Sequence, residues 1–445
     1  MNERPAILKA VEQLGYRVTV GDVAVQSGLE LERAQQGLVA LASDAGGHLQ
    51  VSETGEIVYL FPESLRTVLL NKFWKLRVKE SLGKVWQVSF YLIRISFGVL
   101  LILSILLMLV AIVILIIAVN SQQGEKEKKR DSDGFGLDFL FRSNNLWNLW
   151  YIFHFSDHHR GARYSGNFSQ NKKQKKKSKH QGKGSGSDLN FLEAIFSFLF
   201  GDGNPNADLE ERRWQSIGSI IRNHDGAIVA EQVAPYLNAV SSPNQDSEDY
   251  VLPVLLRFNG YPEVADNGGI VYYFPELQVM AKEAEDKRVS PYLEEARWEF
   301  SQAGKGQLFL SIGLGCFNLL LAIVLGILLQ GEAIEELGGY LGFVQSIYWI
   351  LLIYALGFLG IPLLRFFVIQ SRNLGVEVRN RKRQAQAEIL RDPDPDLQQK
   401  ITYARQFGAK QIIGAKDIAY STEEDLLNQE VDRSEQVDRD WEKRL

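Results

Sequence analysis

The sequence predicts a mainly α-helical protein with small β-wings, built on two related folded modules and about three apolar helices of membrane-spanning length. Three observations predict it. A phrase of one pattern occurs twice, as GEIVYLFPE at 55–63 and as GGIVYYFPE at 268–276. Each copy closes a stretch of roughly 65 residues whose apolar spacing is otherwise helical. Long apolar runs lie between and after the copies, at 92–119, 308–329 and 343–367. The shared residues are Gly55, Ile57, Val58, Tyr59, Phe61, Pro62 and Glu63 in the first copy. In the second they are Gly268, Ile270, Val271, Tyr272, Phe274, Pro275 and Glu276. β-Branched and aromatic residues opened by glycine and closed by proline read as a strand.

Residues 7–14 have helical apolar spacing and Gly15 can stop them. Val18 to Val20 is extended, 21–26 is a second helix with Gly28 as its turn, and 30–43 is a third helix ending at Gly46 and Gly47. Two short strands follow, at 48–52 and 56–61. Helix, strand, helix, turn, helix and hairpin is the order of a winged helix, so 1–66 reads as one winged-helix-like domain. The second copy, 206–281, repeats the order. Its first helix is 214–222, its third is 250–259 with Pro253 in the first turn, and its hairpin is 263–265 with 269–274. The copies align at an offset of 210 near Val18 and Ile228 and of 213 at the phrase, which places the extra residues in the polar loop 241–249.

Residues 67–91 form a basic amphipathic helix leading into the membrane segment 92–119, where Arg94 is the one charge. A run this long exceeds the roughly 20 residues that cross a bilayer. Residues 120–190 are a polar, aromatic and lysine-rich linker, largely disordered by composition, with 135–155 suited to a headgroup zone. A short apolar helix and turn follow at 191–205, and 282–307 reads as a charged helix. Transmembrane helices are expected at 308–329 and 343–367, the second containing Pro362. On the first, Ser311, Gly315, Asn318, Ala322 and Gly326 fall on one face, where small residues let helices approach. The rest, 368–445, is expected to be a helical cytoplasmic tail, with Ser421 and Glu424 as the capping box of a last helix. Basic flanks put the second domain and the tail on the cytoplasmic side. Shared charge character puts the first domain there too, which requires either that 92–119 turn back as a hairpin or that 135–155 help the chain return. No secretory or transit segment is legible at the N-terminus.

Function is less legible than architecture. A single cysteine, Cys316, excludes intramolecular disulfides and any cluster held by several thiolates, and its apolar surroundings predict a packed thiol. Residues 201–203 lack the Lys-Ser/Thr pair of a phosphate loop. His154, Asp157, His158 and His159 meet no ligand spacing and read as an interfacial polar cluster. No carboxylate pair sits in an apolar setting, so no catalytic, cofactor or metal residues are assigned and no cofactor is expected. A winged helix invites DNA binding, but charge argues against it. Residues 1–66 hold five basic against nine acidic side chains, a net of −4, and 206–281 hold four against eleven, a net of −7. Phosphates would be repelled. Lys172, Lys173, Lys175, Lys176, Lys177 and Lys179 can attract anionic lipid or RNA, or serve only as a solvated linker. The reading is a non-enzymatic, membrane-anchored scaffold or adaptor, whose partners are membrane lipids and one or more proteins, with no nucleic acid favoured. The alternatives are a membrane-tethered transcriptional regulator and a transport or cofactor-assembly subunit.

The segments FSFLFGDGNPNADLEERRWQSIG (196–218), AEQVAPYL (230–237) and YVLPVLLRFNGYPEV (250–264), with the FPE phrase, resemble an uncharacterised membrane protein family of cyanobacteria and of the plant chloroplast envelope. Its plant members carry the label "iron–sulfur cluster biosynthesis family protein". The resemblance implies an integral membrane protein of the plasma or thylakoid membrane in a cyanobacterium-like cell. It carries no residue roles.

Overall fold

The computed structural model describes residues 4–72, 74–123, 190–237, 248–265, 268–283, 287–330 and 339–423, with 425, 429 and 431. The lysine run from Lys172 to Lys179, the aromatic segment 135–155 and the histidines from His154 to His159 lie outside them. The chain is mainly helical with small sheets, and three helices are long and apolar enough to cross a membrane. It divides into two bodies. One comprises Met1–Leu100, Leu189–Ile312 and Gly357–Leu445, the other Leu101–Asp188 and Gly313–Leu356.

The first body contains both copies of the phrase. The N-terminal module runs α1 (Arg4–Gln13), β1 (Arg17–Val18), α2 (Val20–Ser27), α3 (Leu31–Ala45), β2 (His48–Ser52) and β3 (Ile57–Leu60). The second module runs α4 (Leu209–Asn223), β4 (Ala227–Val229), α5 (Ala230–Val233), a 3₁₀ turn at Asp249–Val251, α6 (Leu252–Phe258), β5 (Tyr261–Val264) and β6 (Ile270–Tyr273). The two sheets share one strand order, with the phrase strand in the middle of each module's three strands. They also share a register. Arg17 pairs with Leu60 as Ala227 pairs with Tyr273, and His48 pairs with Leu60 as Tyr261 pairs with Tyr273.

Local chemistry accounts for the likeness. Gly55 and Gly268 hold φ of +88° and +82°, the left-handed region that L side chains rarely enter, and they turn the chain into each phrase strand. The second helix of each module starts with one device. The Asp22 carboxylate accepts from the Thr19 N–H at 2.9 Å, and the Gln232 amide oxygen accepts from the Val229 N–H at 2.9 Å. Each side chain reaches back to the residue that caps its own helix, as in a capping box.

The phrase strands are buried on both faces. Tyr59 and Phe61, like Tyr272 and Phe274, enter the main core. Val58 turns to the opposite face, against Val279, Ala281 and Ile413. Val271 does the same against Leu397 and Ala404. The C-terminal segment therefore covers both sheets. Its helix α7 (Pro395–Ala404) brings Leu397 and Ala404 to the second module, and its strand β7 (Ile418–Ser421) pairs antiparallel with β2 as a fourth strand of the first sheet. The expectation of a helical tail over 368–445 is corrected here by this strand, which Ser421 ends; Glu424, the other member of the expected capping box, lies outside the described residues. Such a short strand has no pattern of its own and is selected by the edge it completes.

Pro262 explains why only one sheet gains a strand. It occupies the position of Leu49, whose N–H donates outward to Thr422 Oγ1 at 2.9 Å while its carbonyl accepts from the Thr422 N–H at 2.9 Å. Proline has no N–H to offer, so the edge of β5 is closed to the same pairing.

The charged helix expected over 282–307 is also corrected. Among the described residues, 287–304 form an extended strap, and the helix begins only at Lys305. The strap runs along α8 (Tyr340–Ile389), held by two asparagines of that helix. Asn380 Oδ1 accepts from the Glu295 N–H at 3.0 Å and its Nδ2 donates to the Glu295 carbonyl at 2.8 Å. Asn373 treats Trp298 in the same way, at 2.8 and 2.9 Å. The spacing is commensurate: seven residues of helix and three of extended chain both advance about 10 Å. Pro291, which disfavours helix at the residue before it, and this non-local ladder outweigh the local helical pattern. Glu295 anchors the strap, buried between Arg379 at 2.7 Å and Arg383 at 2.8 Å.

The basic helix expected over 67–91 and the segment 92–119 are not separate. A short helix, Leu65–Lys72, precedes one continuous helix, Trp74–Gln123, of 50 residues and about 75 Å. Its apolar stretch is Val85–Ile117, and no reversal interrupts it, which removes the hairpin alternative. Lys305–Leu328 is the second long apolar helix. Tyr340–Ile389 is the third, and it passes through Pro362 without a break.

In the second body the packed helices bury Met108, Ile112, Leu115, Leu321, Leu325 and Val344. The Ser104 hydroxyl donates to Asn318 Oδ1 at 2.7 Å, a polar pair inside this apolar cluster.

Candidate interaction surface

The structure buries most of the apolar phrase residues. Val58, Tyr59, Phe61, Val271, Tyr272 and Phe274 are buried, Ile57 is exposed and Ile270 half-buried, and Pro62 and Pro275 are half-buried at the strand ends. Glu63 is exposed. Glu276 is half-buried, and burial followed by the nearby charge of Glu56 pushes its carboxyl above the usual range. The small residues behave likewise. Ser311, Gly315, Ala322 and Gly326 are all buried, and Tyr348 packs where a side chain on Gly326 would stand. Cys316, expected to be packed, is exposed: it lies one position off that buried stripe.

The two modules are joined face to face through α2 and α4. Gly21 lies so close to the Glu276 carbonyl that a Cβ there would stand 2.3 Å from the oxygen. Gly218 approaches Val25, and the Gln215 amide donates to the Gln26 carbonyl at 3.0 Å. Asp22 pairs with Arg222 at 2.8 Å, with both side chains nearly buried, and also accepts from the Ala281 N–H at 3.1 Å.

That joint determines what the third helices present. Arg257, the basic residue of α6, is turned inward. It lies 4.2 Å over the Trp214 ring and donates to the Gly28 carbonyl through Nε at 3.1 Å and Nη2 at 2.6 Å. The outward face of α6 carries Leu252 and Leu256, 55% and 76% exposed, beside exposed Tyr261 and Val264 of β5. On α3 the outward residues are Glu32, Arg33, Gln35, Gln36 and Val39, and Arg33 pairs with Glu30 at 2.8 Å. Neither helix offers a cation that is not already engaged.

The tail helix adds a buried charge to this surface. Lys400 Nζ lies 2.9 Å from Glu231 and 2.6 Å from Glu248, and the Tyr272 hydroxyl donates to the other oxygen of Glu248 at 2.7 Å. Burial pulls the Lys400 ammonium down, but the hydrogen bonds and charges of the two carboxylates prevail and hold it above its ordinary value. Among the described residues, no three His, Cys, Asp or Glu side chains gather where they could hold a metal ion.

Sequence reasoning missed Asp22, Arg222, Glu295 and Lys400. For Asp22 a signal existed, since Thr19 followed three residues later by an acid is a capping pattern. Asn373 and Asn380, seven apart on one helix, marked a face able to hold another chain. Nothing in the sequence marks Lys400.

A protein of Arabidopsis thaliana described as "Uncharacterized protein At5g03900, chloroplastic" is 36% identical to this chain over 455 residues, covering 99% of the chain and 82% of the relative. The chain belongs to that relative's family. The similarity extends through both modules and the apolar helices alike. No family model and no solved structure matches the chain.

Proposed function

We propose that the chain is a non-enzymatic scaffold anchored in a membrane, in which two winged-helix-like modules act as one rigid platform for a protein partner. The shared strand order and register support the winged-helix reading of each module. The three long apolar helices and the chloroplast name of the relative are compatible with a membrane. We place it in the plasma or thylakoid membrane of a cyanobacterium-like cell, with both modules on the cytoplasmic side. One observation carries the functional reading. The third helix of the second module points Leu252 and Leu256 outward and commits Arg257 inward. A DNA reader needs the opposite arrangement, with cations facing phosphates. Exposed leucines and tyrosine on an acidic module suit a protein contact.

The test is a photoreactive amino acid placed at Leu256 of the full-length protein in native membranes, with Gln35 on α3 as the comparison site. A discrete adduct at Leu256 that disappears with Leu252→Asp is expected. Fluorescence anisotropy with duplex DNA at physiological salt should show no binding. Micromolar DNA affinity, or adducts indifferent to Leu252→Asp, would overturn the reading.

A further inference from the structure

A cleft of about 700 Å³ opens in the first body beside the second module, at a place the joint between modules does not use. Five stretches of chain enclose it: the end of α4, α5 with the turn that follows it to Tyr236, the strap near Pro291, the last turns of α8 with the residues after them, and the helix α7 with its following turn. Its volume lies within the roughly 300–1,000 Å³ typical of small-molecule sites.

The walls are of two kinds. Ile220, Tyr236, Val289, Tyr292 and Ile401 supply apolar and aromatic surface. Tyr236 is fixed there, because its hydroxyl donates to the Ser290 carbonyl, and burial pushes it up to about 12. The polar wall has a net positive character. Arg391 and Arg405 both line the cleft, and neither has an ion-pair partner among the described residues. Glu388 is the one acid in the lining, and the Gln384 amide approaches it at 3.4 Å. His224 also lines the cleft, and its Nδ1 faces the Ile220 carbonyl at 2.9 Å, which can only accept, so Nδ1 carries a proton.

Two guanidiniums in one concavity, against a single acid, focus positive potential where a ligand enters. Arginine presents paired N–H donors that match the oxygens of a carboxylate or phosphate. We propose that this cleft binds a small organic anion, with its carboxylate or phosphate held by Arg391 and Arg405 and its apolar body set against Tyr236 and Tyr292. The ligand would touch the second module, the strap and the tail together. Its binding would then stabilise the closed arrangement of all three by mass action. The proposal is independent of the scaffold reading, because it involves neither Leu252 nor Leu256.

The test uses the full-length protein in lipid nanodiscs and ligand-observed saturation-transfer NMR. The probes are naphthalene-2-carboxylate, 2-naphthyl phosphate and the uncharged naphthalene-2-carboxamide. At least one anion should bind saturably, and the preferred one identifies the headgroup chemistry. The carboxamide should bind at least about tenfold more weakly, the loss of one good charged contact. Arg391→Gln with Arg405→Gln should weaken the anion by at least about tenfold while leaving the melting temperature of the empty protein unchanged. Ala387→Trp, which fills the cleft, should abolish binding of every probe. Equal binding of the carboxamide, undiminished affinity in the double arginine variant, or no saturable signal from either anion at millimolar concentration would each overturn the proposal.

Discussion

Asp22→Ala removes more from this fold than its small side chain suggests. The carboxylate caps α2 through the Thr19 N–H, accepts from the Ala281 N–H and pairs with Arg222 at 2.8 Å. With the partner gone, Arg222 is left as an uncompensated charge that is largely shielded from water, which costs about 3–5 kcal/mol. The lost cap adds about 1 kcal/mol, part of it overlapping. A domain holds only about 5–15 kcal/mol in all, so the variant should be partly unfolded near room temperature. Asp22→Asn keeps the volume and one acceptor but not the charge, and should lose about 2–4 kcal/mol. The assay is urea denaturation of the full-length protein, followed by tryptophan fluorescence, with a double-mutant cycle of Asp22→Asn and Arg222→Met. The coupling should exceed about 1 kcal/mol. A coupling near zero, or an Asp22→Ala variant within about 0.5 kcal/mol of wild type, would show that the joint between modules does not depend on this pair.

Leu49→Pro should close the first sheet's edge as Pro262 closes the second. Hydrogen exchange at Ile418–Ser421 should accelerate while Ile270–Tyr273 stays protected, and unchanged protection of the tail strand would refute the edge argument. Glu295 is desolvated, which alone would raise its carboxyl, but hydrogen bonds and charge from Arg379 and Arg383 prevail and hold it below the usual range. Its stabilising contribution is therefore complete above the ordinary glutamate value of about 4.3 and is lost as pH falls through the lower, folded value. The stability gap between wild type and Glu295→Gln should be full at neutral pH and close only in acid, and a gap that stays constant down to about pH 3 would contradict this. In the second body, Ser104→Ala should destabilise by about 1 kcal/mol, because it leaves the Asn318 oxygen without its donor. Asn318→Leu should be neutral or stabilising, since Nδ2 already lacks a partner among the described residues; denaturation in bicelles measures both.

Local pattern told most where local chemistry decided the structure. Gly55 and Gly268 mark turns that only glycine enters easily, and the β-branched and aromatic residues after them do form the central strands of two like-ordered sheets. The apolar runs are helices because nothing polar competes for their backbone. The strap was illegible for the opposite reason. Its charges fit a helix face, and the amides of Asn373 and Asn380 that unwind it come from more than 70 residues away. The tail strand had no signal of its own, although Pro262 against Leu49 could have told which edge was open. The outward face of α6 was hidden because charge was counted over the whole module. The count cannot say that Arg257 turns inward toward Trp214. The cleft is formed by five stretches spread between Ile220 and Arg405, so no window along the chain contains it.

The tail strand also fixes a parity. It pairs with β2, which precedes the apolar stretch Val85–Ile117, while Lys400 of the same tail pairs with Glu231, which follows that stretch. Hydrogen bonds and ion pairs cannot pass through a bilayer. In any membrane that takes up these helices, both modules and the tail must lie in one compartment. Lys305–Leu328 and Tyr340–Ile389 satisfy this as an outward and a return pass. Reporters fused near residue 2 and near residue 445 must then always give the same answer, whichever side that proves to be.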